Sequence, residues 1–178
     1  MFPVPLPDQD IHNFKMRLRY VKGPEEVSDK EVKDFLTRLA ATGDRGEVGP
    51  LYKTLALSPP LFKGFLKFFQ PMMNDLSLTN DYKELAMCRV AVHNSAAFEW
   101  MHHAPLLEKA GLSKEAVETV RTIVSGYFGK DGEKGLNKKY WAVLRFVDAM
   151  TNDIRVPDEV FAGIREFLDD RQILELGE

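Results

Sequence analysis

The chain has 178 residues, of which 44% are hydrophobic and 29% are charged, a composition typical of a globular domain and not of a disordered segment. The formal net charge is -3 and the basic residues are mixed with acidic ones, so nucleic acid is not an expected partner. The single cysteine, Cys88, excludes an intrachain disulfide framework and a cysteine-rich zinc site, and no apolar run has the length of a membrane span, so we expect a soluble, cytoplasmic protein with no membrane partner.

Helix punctuation is frequent along the chain, and strand patterns are scarce. We expect an irregular arm over residues 1–27, then a capping box at Ser28–Glu31 that opens a helix ending near Gly43. A further helix is expected to begin at Pro59, since prolines are favoured in a first helical turn. Apolar periodicity and caps such as Thr79, Ser113, Asn137 and Asp170 predict other helices over residues 51–57, 80–93, 96–110, 114–124, 137–151, 157–168 and 171–176.

These elements predict an all-α, single-domain helical bundle over residues 28–178. We find no internal repeat and no linker that would separate two domains. The loop over residues 126–135 contains glycine and lysine without the order of a phosphate-binding loop, so we give it no role. Because the sequence stops soon after the last predicted helix begins, we also expect a further helix beyond Glu178.

The densest group of reactive side chains lies between residues 84 and 103. Within it, Glu99 and His103 are four residues apart and would share one helical face. A carboxylate beside an imidazole can orient it and stabilise its charged form, as general acid–base catalysis requires. An ordinary surface pair gives the same spacing and is the commoner case. The other members of the group are Glu84, Arg89, His93 and His102.

A metal site and a reactive thiol are both poorly supported by these residues. His102 and His103 are adjacent, so on a helix they point about 100° apart. The Glu99-x-x-His102 spacing resembles one half of a di-iron motif, but no second copy occurs, and we expect no metal. Cys88 lies in an apolar helical stretch and is expected to be a small buried residue.

At these residues the chain resembles a known family. The stretch Phe98-Glu99-Trp100-Met101-His102-His103, followed by Ala110-Gly111-Leu112-Ser113 and preceded by Glu84, is similar to the signature of the carboxymuconolactone decarboxylase and alkylhydroperoxidase D-like family. The resemblance covers about residues 50–175 and is sharpest at 84–113. It implies an alkylhydroperoxidase D-like helical fold, a homotrimer or homohexamer, and a site among helices near a subunit interface.

In the peroxidase branch of this family a Glu, a Cys-x-x-Cys pair and a His form the redox centre. By position, the Glu falls on Glu84 and the His on His103, whereas the two cysteine positions fall on Ala96 and Glu99. Thiol redox chemistry requires sulfur at these positions, so peroxidase activity is not expected. The resemblance leaves a cofactor-free lyase of the decarboxylase type, acting on a small carboxylated lactone or a related metabolite.

Under this reading Glu84, Glu99 and His103 are the catalytic residues. His103 is the expected proton donor and Glu99 is expected to orient it. Glu84 is expected either to complete the relay or to set the pKa of the site. The expected substrate-binding residues are His93, Trp100, His102 and Arg89, although an ion pair with a helix acid is the favoured role of Arg89.

Two other functions remain open, since one fold hosts varied chemistry. The same site could serve a dehydratase, isomerase or cyclase. Alternatively, the chain is a non-catalytic helical oligomerisation or binding protein.

Overall fold

The computed structural model describes residues 17–42 and 48–178. Within these ranges there are nine α-helices, two short 3-10 helices at Pro24–Glu26 and Glu133–Gly135, and no strand. The all-α prediction is therefore confirmed. Most of the predicted N-terminal arm and the predicted helix end at Gly43 lie outside the described residues.

Contacts between Cα atoms group the described residues into two compact units, residues 17–75 and residues 76–178. The expectation of one domain over residues 28–178 stays a prediction. Among the described residues, no helix combines the length and the apolar character needed to cross a membrane.

The first unit contains three helices: α1 (Lys30–Thr42), α2 (Pro50–Leu55) and α3 (Pro59–Asn74). Its core includes Val32 and Leu36 of α1 and Phe62 of α3, all buried. The predicted cap of α1 was wrong by one residue. Asp29 is the cap, because its Oδ1 accepts the backbone N–H of Val32 at 3.2 Å. The carboxylate of Asp29 is one atom longer than the Ser28 hydroxyl, and Lys63 of α3 pairs with it at 2.8 Å.

The second unit contains six helices, and its core includes Leu85, Leu107, Val120, Leu144 and Ile164. The central helix is α4, which packs along α5 and α7 and also contacts α6 and α9. Burial on several sides explains why α4 lacks a clean polar face. The six helices are α4 (Asn80–His93), α5 (Ala97–Lys109), α6 (Lys114–Thr122), α7 (Lys138–Asn152), α8 (Asp158–Arg165) and α9 (Asp170–Gly177).

Of the four caps predicted in this unit, Ser113 and Asn137 are confirmed and Asp170 was wrong, while Thr79 precedes α4 without a side-chain hydrogen bond to the helix. Ser113 accepts the backbone N–H of Ala116 at 3.1 Å, and Asn137 accepts that of Tyr140 at 3.0 Å. The last helix is capped by Asp169 and not by Asp170, in a reciprocal capping box with Gln172. Such a box satisfies two backbone donors that the helix itself leaves free.

A tight reversal between α4 and α5 positions the candidate site. Ser95 adopts a left-handed backbone conformation with φ of 52°, and the backbone N–H of Ala96 donates to the carbonyl of Ala91 at 2.8 Å. The chain therefore turns back at once and α5 packs along α4. This arrangement brings side chains from the start of α4 to side chains from the middle of α5.

Candidate active site

A carboxylate–imidazole pair connects α4 and α5. His103 Nδ1 lies 2.8 Å from Glu84 Oε2, and the side chains are 21% and 9% exposed, respectively. An ionised carboxylate only accepts hydrogen bonds, so Nδ1 carries the proton in this pair. The pairing fixes the orientation of the ring, because Glu84 is held in the buried interior of the helix pair.

The second ring nitrogen of His103 is the reactive position of this pair. Within the described part of the chain, Nε2 makes no hydrogen bond, and the partly exposed side chain leaves it within reach of a small molecule. An imidazole held at one nitrogen by a carboxylate can accept or deliver a proton at the other nitrogen. The geometry is therefore suited to moving a proton at Nε2.

The structure does not assign the orienting role to Glu99, and this part of the sequence prediction was wrong. Glu99 lies on α5 one turn before His103 and is exposed. The hydrogen bond at Nδ1 comes from Glu84 instead. The physical reason is burial: a carboxylate from a packed neighbouring helix is held in place, whereas an exposed side chain on the same helix is solvated and free to rotate.

Arg89 is buried, and it and the His93 side chain both contact Asp148, so their expected role in substrate binding stays a prediction. The Arg89 side chain is 0% exposed and pairs with Asp148 of α7 through Nε at 2.5 Å and Nη2 at 3.1 Å. His93 Nε2 lies 2.6 Å from the same carboxylate, and its side chain is 8% exposed. The favoured alternative for Arg89, an ion pair with a helix acid, is what the structure shows.

Asp148 is the residue that the sequence analysis missed. Its oxygens accept hydrogen bonds from Arg89 and from the backbone N–H of Gly126, and it also pairs with His93. Burial alone would raise the pKa of Asp148, but the hydrogen bonds from His93 and Arg89 outweigh it and hold the pKa below its usual value. A lone acid within the apolar stretch Phe146-Val147-Asp148-Ala149 was the available signal.

His102 and Trp100 flank the pair without joining it. His102 is exposed, its Nδ1 donates to the carbonyl of Phe98 at 2.7 Å, and its ring lies against the Phe98 ring. Trp100 is half-buried and packs against the core of the second unit. Neither side chain hydrogen-bonds to Glu84 or His103 within the described residues.

Cys88 lies one turn after Glu84 on α4 and is fully buried. Burial raises the pKa of the thiol to about 12, and the nearby negative charge of Glu84 adds to the effect. A thiol is a nucleophile only as the thiolate, so Cys88 is inert near neutral pH. The prediction of a small buried residue is confirmed.

Residues 59–136 match the model of the carboxymuconolactone decarboxylase family. Over this segment, which is less than half of the chain, the sequence is similar to that family. The matched segment contains all of α4 and α5, and therefore both Glu84 and His103. No curated protein and no solved structure matches the chain.

The match to this family model points to a decarboxylase or an alkylhydroperoxidase-like activity. Within residues 17–42 and 48–178, no three His, Cys, Asp or Glu side chains lie close enough together to share a metal ion.

Proposed function

We propose that the chain is a cofactor-free carbon–carbon lyase that removes CO2 from a small carboxylated lactone or a related metabolite. The observation that carries the proposal is the 2.8 Å pairing of His103 Nδ1 with the buried Glu84, which leaves Nε2 open. In this proposal Glu84 and His103 are the catalytic pair, and Glu99 lies at the exposed edge of the site.

The reaction needs a group that delivers a proton to carbon. When the bond between the ring carbon and the carboxylate breaks, CO2 leaves and the electron pair stays on a carbon conjugated to a carbonyl or an alkene. Protonated His103 then donates its Nε2 proton to that carbon, and solvent restores the proton. The negative charge of Glu84 stabilises the imidazolium while it waits to react. Such a positioned acid contributes about 10²–10⁴-fold to the rate.

The alkylhydroperoxidase-like alternative is disfavoured by the sulfur content of the segment. The positions that resemble the family's redox cysteines are Ala96 and Glu99. The chain's one cysteine, Cys88, is buried and its pKa is raised to about 12. Reduction of a peroxide by thiols requires an accessible thiolate and a second sulfur to resolve the intermediate. The acid–base reaction is therefore the better match to these residues.

We further propose that the protein is a cytoplasmic homotrimer or homohexamer with a small-molecule substrate and no nucleic-acid or membrane partner. Exposed apolar side chains on α4 and α5, namely Val90, Met101 and Leu106, supply apolar surface for contact between subunits. Light scattering coupled to size exclusion gives the subunit number directly. A monomer at micromolar concentration would contradict this part of the proposal.

The deciding experiment is a mass-spectrometric screen of carboxylated lactones and related small acids. Wild-type protein is compared with His103→Ala and with Lys109→Ala, an exposed residue of the same helix that serves as the control. We expect loss of CO2 with wild type and with Lys109→Ala, and none with His103→Ala. Circular dichroism of each variant shows whether the fold is retained.

Other outcomes of the screen would replace the proposal. A His103-dependent product of unchanged mass would identify an isomerase or cyclase, and loss of water would identify a dehydratase. Loss of CO2 that His103→Ala does not affect would remove His103 from the mechanism. Silence across a broad panel would contradict the lyase proposal and favour a non-catalytic binding protein.

A further inference from the structure

A cavity lies within the second unit, between the loop that follows α6 and helices α7 and α8. Its volume is about 180 Å³, and its lining includes Phe128, Arg145, Asp153, Glu159 and Val160. Neither Glu84 nor His103 belongs to that lining. The cavity is therefore distinct from the carboxylate–imidazole pair.

The unusual member of this lining is Arg145. It lies on α7 one turn before Asp148, is half-buried, and makes no hydrogen bond or ion pair within the described residues. Burial lowers the pKa of Arg145, while the negative charge of Glu159 acts in the opposite direction. Arg89 shows the contrast, because its buried guanidinium is matched by a carboxylate and a carbonyl. The N–H donors of Arg145 have no hydrogen-bond acceptor among residues 17–42 and 48–178.

The acidic residues of the cavity do not satisfy Arg145. Asp153 and Glu159 line the same space, yet neither is close enough to Arg145 to form an ion pair. Asp148 also lines it, but both of its oxygens are occupied by Arg89, His93 and the backbone of Gly126. Among the residues that the structure describes, Arg145, Asp153 and Glu159 therefore line this cavity without an ion pair.

Phe128 limits how a ligand can approach the cation. This side chain is exposed, and its ring lies beneath the central carbon of the Arg145 guanidinium. The ring shields that side of the guanidinium and leaves N–H groups for a ligand, and a fork of two parallel N–H groups matches a carboxylate. Phe128, Pro157 and Val160 give the rest of the cavity apolar walls.

We propose that this cavity binds a small monocarboxylate with an apolar body. The carboxylate takes the N–H edge of Arg145, and the apolar body packs against Phe128 and Val160. Asp153 and Glu159 repel a second negative charge, so the cavity selects a monoanion over a dianion. This ligand supplies the carboxylate that Arg145 does not receive from the described part of the chain. The site is separate from the proposed reaction at His103.

The test uses benzoate as the monoanionic probe and phthalate as the dianion of related shape. Isothermal titration with the wild-type chain is compared with Arg145→Gln and with Arg155→Gln, which removes an exposed cation outside the cavity lining. We expect benzoate to bind wild type and Arg155→Gln equally, and to bind Arg145→Gln at least tenfold more weakly. Phthalate is expected to bind wild type more weakly than benzoate.

Two further variants, Arg145→Lys and His103→Ala, provide additional tests of the site. If Arg145→Gln does not fold, Arg145→Lys retains the charge but loses the planar fork, and it should still weaken benzoate binding. The His103→Ala variant should leave benzoate affinity unchanged, because its side chain is outside the cavity. No benzoate binding to wild type at millimolar concentration, or equal binding by the Arg145 variants, would overturn the proposal.

Discussion

Replacing Asp148 by Ala should be among the most destabilising single changes in the second unit. The substitution removes two of the three hydrogen bonds to the Arg89 side chain, leaving only the carbonyl of Val120 at 2.9 Å. Because Arg89 is 0% exposed, its charge then lies unpaired in the interior. Breaking a buried pair in this way costs about 3–5 kcal/mol. Loss of the contacts to His93 and the backbone of Gly126 adds to this.

The loss in free energy of unfolding is measured by urea unfolding followed by circular dichroism. In a thermal scan, the melting temperature of a chain of this size should fall by about 2–4 °C for each kcal/mol lost. Asp153→Ala is the matched control, because Asp153 is an exposed acid at the end of the same helix and should change stability by less than about 0.5 kcal/mol. Combining Arg89→Met with Asp148→Leu should recover stability relative to Asp148→Ala, because no buried charge remains. A loss below about 1 kcal/mol for Asp148→Ala would refute this reasoning.

Three further predictions concern pH, thiol chemistry and packing. Hydrogen bonds lower the pKa of Glu175 from an ordinary 4.5 to about 2, and the bond from the Ser77 side chain has the largest effect. The contribution of Glu175 to stability is therefore complete above about pH 4.5 and is lost as the pH falls towards 2. The difference in unfolding free energy between wild type and Glu175→Gln should therefore shrink on acidification, and a pH-independent difference would contradict the assignment. With a pKa of about 12, Cys88 should react with a thiol reagent at neutral pH only after denaturation, and rapid labelling of native protein would count against its burial. Gly129→Ala would place a methyl group into the Trp141 ring and should cost about 1–3 kcal/mol in thermal unfolding. Gly163→Ala lies in a helix with open space around it and should instead raise the free energy of unfolding by about 0.5–1 kcal/mol. Equal effects of the two changes would contradict the close packing of Gly129 against Trp141.

Local signals in the sequence were sufficient to predict much of the fold. The bounds of α4 were predicted as residues 80–93, as the structure has them, and Ser113 and Asn137 were recognised as caps. Caps depend on residues three positions apart, so sequence spacing reports them well. The two misplaced caps, Ser28 and Asp170, are each adjacent to the true cap. The true caps are Asp29 and Asp169. Neighbouring polar residues compete there, and packing decides between them.

The site could be predicted only as a set of residues. Glu84 and His103 were identified through the family resemblance, but spacing within one helix suggested Glu99 as the partner of His103. That error arises because an i, i+4 pair is visible in sequence, whereas a pair across two helices depends on the turn at Ser95 and on burial. Asp148 was missed for the same reason, since its partners lie 55 and 59 residues away.

The most direct test of the central claim compares the two carboxylates near His103. Once a substrate is found, the turnover number is measured for wild type, Glu84→Gln and Glu99→Gln under identical conditions. The pairing of Glu84 with His103 predicts that Glu84→Gln loses about 10²-fold or more in rate, while Glu99→Gln stays within a few-fold of wild type. Unchanged turnover in Glu84→Gln, or an equally large loss in Glu99→Gln, would contradict the assignment of Glu84 as the catalytic partner of His103.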